Sequence, residues 1–293
     1  RFTPVSPWRV LDTRDGTGGA FGAVRPGEPI RLALGGVEVP SDATAVVLNV
    51  TAASPSWTGN VRVYPTPVGA DVPPTVSNLN VVPGVDQPNL VTVALGSDGM
   101  VSLATDGMSS QLIADLAGYY SPGGAAGFVP LDPVRVMDTR SGIGGVPAAR
   151  LTAGHWVDLQ LTGRTGVPAD ALAVVLNVTG VNPSRATNVR VYPTPAASED
   201  QTPPEVSNLN LRAGRDQPNL VTVALGDGGR VRLYSQTADV NLVADLAGYY
   251  SANGADGFVA LAPTRIADSR SALGLAGGRL VAGTTAYLVV AGH

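Results

Sequence analysis

The sequence repeats itself, and this repeat constrains the fold more than any other feature. Six short motifs recur in the same order at an interval of about 128 residues, which marks a tandem duplication. The matching pairs are 9–14 with 135–140, 45–51 with 173–179, 60–65 with 188–193, 77–80 with 207–210, 86–96 with 216–226, and 115–120 with 245–250. A third, weaker copy of the first motif occupies 265–270. Any fold must therefore be built from equivalent, consecutive units.

Within each copy, the local pattern predicts short β-strands. Val, Leu, Ile, Thr and Tyr form runs of about five to nine residues between turns rich in Gly, Pro, Asn and Asp. In the first copy, we predict strands near 8–14, 28–35, 44–52, 60–65, 76–82, 89–95, 99–104 and 111–120, with a hairpin turn at Ser97-Asp98-Gly99. The predicted fold class is all-β, with tandem β-sandwich or jelly-roll-like domains of about eight strands each.

The repeat also predicts the domain organisation. We expect one β repeat at 1–121, a second at 128–251, and a partial third repeat at 258–293, joined by links rich in Gly, Ala and Ser. A piece as short as the third cannot bury a core of its own. A permuted unit, with whole copies at 39–166 and 167–293, is the alternative. Short links between sandwiches predict a stiff rod or an oligomer in solution.

Composition excludes several kinds of chemistry. The chain has no cysteine, so disulfides, thiolate zinc sites and a cysteine nucleophile are excluded, and all 19 basic residues are arginine. The two histidines, His155 and His293, do not recur between copies, so a repeated catalytic triad or histidine metal site is not expected. We predict no enzyme, no catalytic residue, no cofactor and no metal site. A pair of aspartates that converge for glycoside hydrolysis is the catalytic alternative left open.

Charge and hydropathy limit the partners. Only 14% of the residues are charged and the net charge is −4, without the concentrated basic face that nucleic acid requires. No apolar run approaches the roughly 18 residues of a membrane-spanning helix. We therefore expect neither a nucleic-acid partner nor a membrane span.

The Asp-Thr-Arg element, present in related form in all three copies, provides the first candidate site. On an extended strand, Asp12 and Arg14 point to the same face, as do Asp138 and Arg140. One interpretation is a structural charge network with a cross-strand partner such as Asp115. The other is a binding site in which Arg14 holds a ligand carboxylate and Asp12 orients it.

Recurring tyrosines provide the second candidate site. Carbohydrate modules of the β-sandwich type use exposed aromatic rings, yet aromatic residues are only 5% of this chain and no tryptophan recurs. Tyr64 and Tyr192 do recur, which makes them candidate binding residues. The pairs at 119–120 and 249–250 also recur, and we expect each pair to end an inner strand.

Other repeated polar residues have two interpretations each. Asp86 and Asp216 are candidate anchors for calcium, or they cap the Gln-Pro-Asn turn that we expect to follow them. The recurring asparagines either tie strands and loops together or line a sugar-reading groove. Asn49 and Asn177 match the glycan acceptor pattern, but both lie in apolar strands, where attachment is not expected.

The motifs Arg-Val-Leu-Asp-Thr-Arg, Ala-Val-Val-Leu-Asn-Val-Thr, Ser-Asn-Leu-Asn, Asn-Leu-Val-Thr-Val and Asp-Leu-Ala-Gly-Tyr-Tyr resemble a tandem repeat of secreted or cell-surface actinobacterial proteins. The resemblance covers nearly the whole chain. It implies export and an accessory or structural role, and it implies no particular ligand.

Together these observations predict a non-catalytic extracellular repeat protein with a structural, adhesive or surface-display role, secreted or held at the cell surface. The alternative is a carbohydrate- or cell-wall-binding module that is accessory to a secreted hydrolase. The expected partners are a cell-surface or extracellular polymer, with polysaccharide as one candidate, and further copies of the chain through self-association.

Overall fold

The computed structural model describes residues 1–96, 98–261 and 264–290. Ser97 of the predicted hairpin turn and His293 at the end of the predicted third repeat lie outside the described residues. The described chain is built from antiparallel strands, with one short 3₁₀ turn at Asp227–Gly229. No helix among the described residues has the length and apolar character needed to cross a membrane.

Eight strands belong to each of the two complete copies. The first copy contains β1 (Phe2–Asp12), β2 (Ile30–Ala33), β3 (Ala45–Ala53), β4 (Gly59–Pro65), β5 (Leu79–Val81), β6 (Gln87–Ala94), β7 (Met100–Asp106) and β8 (Gln111–Tyr120). The second contains β9 (Gly127–Asp138), β10 (Trp156–Gln160), β11 (Ala171–Val181), β12 (Thr187–Pro193), β13 (Leu209–Leu211), β14 (Gln217–Ala224), β15 (Arg230–Ser235) and β16 (Asn241–Ser251).

These strands form four sheets and two sandwiches. In the first sandwich, sheet β1-β8-β3-β6 packs on sheet β2-β7-β4-β5, and in the second, β9-β16-β11-β14 packs on β10-β15-β12-β13. Each sandwich encloses its own core of Val and Leu side chains. The predicted all-β fold class of tandem sandwiches is confirmed.

Strand pairing groups the chain as β1–β8 and β9–β16. The permuted alternative, 39–166 with 167–293, does not follow this pairing, because it separates β9 from its sheet neighbour β16. In the third copy, the described residues 258–261 and 264–290 contain no strand. A strand needs a hydrogen-bonded neighbour, and the counterparts of β15 and β16, which pair with β10 and β9 in the second copy, do not fall within 258–293.

β3 is buried on both of its faces, which explains why its sequence is continuously apolar. Val46, Leu48 and Val50 point into the core of the first sandwich. Ala45 and Val47 point the other way, into a separate apolar cluster shared with the second sandwich. The period-two geometry of a strand therefore produces two buried faces here instead of one.

The two sandwiches pack directly on one another, and the link between them is part of that contact. The link is held by backbone hydrogen bonds between Phe2 and Ala126 and between Arg1 and Ser121. Gly127 and Gly254 lie so close that a Cβ on either glycine would come within 2.1 Å of the other's backbone. Close backbone packing of this kind leaves the link little freedom to act as a hinge.

Candidate functional site

A row of three polar side chains crosses the outer face of the first sandwich. Strand register places Arg9 of β1 beside Asp115 of β8, and Asp115 beside Asn49 of β3. The Arg9 Nε donates to Asp115 Oδ1 at 2.9 Å. We call these three residues the covered row, because the second sandwich lies over them.

The second sandwich contacts the covered row through an edge formed by Ser207, Asn208 and Asn219, which we call the engaged edge. Asn49 Nδ2 donates to the Ser207 carbonyl at 2.5 Å, and Asn219 Nδ2 donates to Asn49 Oδ1 at 2.9 Å. The Ser207 amide reaches Asp115 Oδ2 at 3.4 Å. The amide of Asn49 thus donates to and accepts from the other copy, which satisfies a buried polar group.

Asp115 is a buried carboxylate, so its partners matter. Burial raises the pKa of Asp115, and the hydrogen bond and charge of Arg9 oppose that rise. Breaking a buried pair costs more than forming it gains, because the remaining charge is left without a partner. Arg9 and the engaged edge therefore hold this carboxylate in place.

An aromatic cluster extends the same junction. The Phe2 ring lies 5.1 Å from the Tyr120 ring and 4.4 Å from the Tyr250 ring, measured between centroids. The hydroxyls of Tyr120 and Tyr250, one from each sandwich, are 2.6 Å apart. Burial raises the pKa of both tyrosines, so each keeps its hydroxyl proton and can donate. The tyrosines do end inner strands, and they also join the two copies.

The equivalent row of the second sandwich is open. Arg135, Asp245 and Asn177 occupy the same positions in β9, β16 and β11, and Arg135 Nε donates to Asp245 Oδ1 at 2.8 Å. Asn177 is exposed, whereas Asn49 is buried. The two copies therefore use the same residues in different ways, and the contact between them is head-to-tail.

The Asp-Thr-Arg element forms a turn, which corrects the predicted extended geometry. β1 ends at Asp12 because its Oδ1 accepts the backbone amide of Arg14, which starts a turn. The Arg14 side chain donates to the same carboxylate, from Nε to Oδ1 at 2.8 Å and from Nη2 to Oδ2 at 2.6 Å. This hydrogen bond lowers the pKa of Asp12. The arginine that donates to Asp115 is Arg9 and not Arg14. Arg9 also donates to Asp12.

The same turn recurs in the other copies. Arg140 Nε donates to Asp138 Oδ1 at 2.9 Å, and Arg140 Nη2 donates to Asp138 Oδ2 at 2.7 Å. The side-chain hydrogen bond from Arg140 lowers the pKa of Asp138 to about 2. Arg270 makes the same two bonds, from Nε to Asp268 Oδ1 at 2.9 Å and from Nη2 to Asp268 Oδ2 at 2.6 Å, although the described residues around this pair form no strand. The geometry is therefore local to the motif and does not depend on a completed sandwich.

A polar cleft of about 290 Å³ opens where the two sandwiches meet, beside this turn. Arg9 and Arg14 line it from the first sandwich, and Asn188, Arg190 and Glu205 line it from the second. The structure thus brings Arg14 to a cleft that a polar ligand could enter. Asp12 is buried behind it and fully engaged by arginine.

Tyr64 and Tyr192 do not form an exposed binding surface, which corrects their selection as candidate binding residues. Both are buried. Tyr64 lies under the loop between β4 and β5, where its hydroxyl donates to Asp71 Oδ1 at 2.7 Å. Burial, with the neighbouring Asp71 carboxylate, raises the pKa of Tyr64. A ring buried in this way cannot stack on a sugar.

Asp86 and Asp216 support neighbouring turns. Asp86 Oδ1 accepts the amide of Ser54 at 2.9 Å, and Asp216 Oδ1 accepts that of Asn182 at 2.8 Å. Both amides belong to residues with positive φ, a conformation that benefits from such support. The Gln-Pro-Asn segments begin strands β6 and β14, so the predicted turn there is wrong. Among the described residues, no group of His, Asp or Glu is arranged to hold a metal ion.

The repeated asparagines tie loops to strands. Asn78 and Asn208 each accept a strand amide at 2.7 Å, from Val63 and Val191. Asn49 is buried, as expected, but Asn177 is exposed despite its apolar strand. What the sequence reading missed is the contact between Asn49 and the other copy. The recurrence of Phe at 2, 128 and 258 was the available signal for the aromatic junction.

Fold and junction together define a protein of two packed β-sandwiches from one repeat. The chain matches no protein-family model, and it matches no curated protein. A solved structure similar to it is the N-terminal CBM22-1-CBM22-2 tandem domain of Paenibacillus barcinonensis Xyn10C. That match has 9% identity and a TM-score of 0.25, and it covers 85% of this chain and 98% of the other. Similarity at that level carries no argument about function.

Proposed function

We propose that this chain is a non-catalytic extracellular repeat protein with a structural, adhesive or surface-display role. The observation that supports it is the junction, in which Asn49 and Asp115 of one copy are engaged by the edge of the next. The recurring polar residues are used for turns, strand ties and this contact. Such use is expected of residues that hold an assembly together.

Each recurring charged pair has a structural task. The carboxylates of Asp12 and Asp138 are occupied by arginine, and that of Asp115 by Arg9 and a backbone amide. A carboxylate that acts as a nucleophile or general acid must be accessible to a substrate. Asp12 and Asp115 are buried, which favours the structural role over the hydrolase alternative.

Binding of a polysaccharide or cell-wall polymer is the second candidate, and the polar cleft at the junction favours it. Its lining of arginine, asparagine and glutamate side chains offers donors and acceptors of the kind that pair with sugar hydroxyls. Glu205 and Asn210 line the cleft and take no part in the hydrogen bonds between Asn49, Asp115 and the engaged edge, so they can be replaced to test this candidate.

Retention on insoluble polysaccharides and on peptidoglycan tests both candidates. The structural role predicts no retention above that of an unrelated protein of similar charge. The test variant combines Glu205→Ala with Asn210→Ala, and Asp42→Ala at an exposed turn is the control. If the parent is retained and only the test variant loses retention, polymer binding is the function and the structural role is refuted. Release of soluble sugar in the same incubations would contradict the non-catalytic role.

A further inference from the structure

Two surfaces of the protein are exposed to solvent, although the equivalent surface of the other copy lies in the junction. One is the row of Arg135, Asn177 and Asp245 on the second sandwich, which we call the open row. Its Asp245 side chain is 28% exposed, whereas that of Asp115 in the covered row is 3% exposed. The other is the edge of Ser77 and Asn89 on the first sandwich, which we call the open edge.

The open edge is already built for the contact that its counterpart makes. In the engaged edge, Asn219 Nδ2 donates to the Asn208 carbonyl at 2.7 Å, which orients the amide towards Asn49. In the open edge, Asn89 Nδ2 donates to the Asn78 carbonyl at 2.8 Å, with the same geometry. The second N–H of an oriented amide is a donor for a further partner.

The aromatic contacts show how the copies are related. Phe2 of the first copy lies 4.4 Å from Tyr250 of the second. Phe258, which opens the third copy, lies 4.5 Å from Tyr120 of the first. The phenylalanine of copy one therefore contacts copy two, and that of copy three contacts copy one. Completed by a matching contact from copy two to copy three, this head-to-tail relation returns to its start and describes a closed ring.

The start of the third copy carries core side chains without a core. Leu280 is 65% exposed, and its counterpart in the second copy, Leu151, is 8% exposed. Val290 is 60% exposed, and its counterpart Leu161 is fully buried. Exposure of these two apolar side chains is unfavourable in water, and further strands of the repeat would cover them.

We propose that the open row and the open edge together receive a third sandwich of the same repeat, which begins with residues 258–290 and closes a ring of three. The inference rests on the proposed structural role and gives that role its geometry. A sandwich from a second copy fits less well, because its own attached neighbour would occupy the place of the first sandwich.

A three-copy chain tests the proposal. Residues 165–251 are added after His293, so that the strands of copy two complete copy three. Because the protein has no cysteine, single Asn177→Cys and Asn89→Cys variants report each open surface through their rate of reaction with a thiol reagent. Val72→Cys in an exposed loop is the matched control.

The ring predicts that both thiols react at least about tenfold more slowly in the three-copy chain than in the present chain, with no change at Val72→Cys. A third sandwich that folds, seen as added β-signal in circular dichroism, while both thiols react as before would overturn the proposal. A stable dimer of the present chain, measured by light scattering, would assign the surfaces to a second copy and would also overturn it.

A second measurement uses the present chain and does not need the third sandwich to fold. Phe258→Ala removes the contact with Tyr120, so trypsin should cut after Arg265 at least about fivefold faster than in the parent. Unchanged cleavage would contradict the ring. Neither experiment depends on whether a polymer binds, so its outcome is separate from that of the retention test.

Discussion

The hydroxyl pair at the junction gives the sharpest prediction, because it joins one side chain from each sandwich. Tyr120 and Tyr250 are both buried, with hydroxyls 2.6 Å apart. Tyr120→Phe leaves the Tyr250 hydroxyl without its partner, and a buried unsatisfied group costs about 1–3 kcal/mol. We expect the free energy of unfolding to fall by that amount in either single variant.

The double variant distinguishes this account from simple loss of two polar groups. With both hydroxyls removed, no buried group is left unpaired, so the double variant should be no less stable than either single one. Denaturant unfolding of the parent, the two single variants and the double variant measures the coupling free energy between the two hydroxyls, which we expect to be at least about 1 kcal/mol. Half-buried Tyr119→Phe is the control, with a change within about 0.5 kcal/mol. Additive losses in the double variant would refute the reasoning.

Two further predictions concern packing and pH. Gly118→Ala places a Cβ 2.3 Å from Phe2 Cζ, so we expect a loss of about 1–3 kcal/mol in thermal unfolding, whereas Gly123→Ala, with open space around it, should change little. Arg140 lowers the pKa of Asp138 from 3.8 to about 2, so its stabilisation is complete above about pH 4 and is lost as the pH falls towards 2. Asp138→Asn should therefore be less stable than the parent at pH 6, by about 1 kcal/mol after solvent screening. The difference should shrink as the pH falls through 2 and vanish below it, and a constant difference across this range would contradict the assignment.

The strands could be predicted because their signals are local. The alternating pattern at 60–65 and the apolar run at 44–52 correspond to β4 and β3, and the turn residues between them mark their ends. The turn at Asp12 was harder, because an Asp that follows an apolar run can extend the strand or end it. The group that decides between these is the Asp12 carboxylate, which accepts hydrogen bonds from the backbone amide and the side chain of Arg14, and no periodicity encodes those bonds.

The junction could not be predicted from one copy at a time. Asn49 and Asn177 are equivalent in sequence, yet one is buried and the other exposed, because only the first has a neighbour on its face. Burial at this face depends on the order of the sandwiches and on the rotation between them. Strand patterns carry no information about that rotation. The repeated phenylalanines indicate only where the two sandwiches are in contact.

The most direct measurement compares these two equivalent positions in the present chain. Asn49→Cys and Asn177→Cys introduce the same thiol at the same place in each copy, and no native cysteine interferes. If the repeated polar residues serve the contact between sandwiches, the thiol at 49 should react at least about 100-fold more slowly, an opening free energy of about 2.7 kcal/mol. Equal rates at the two positions would mean that the sandwiches do not pack on this face, which would contradict the account.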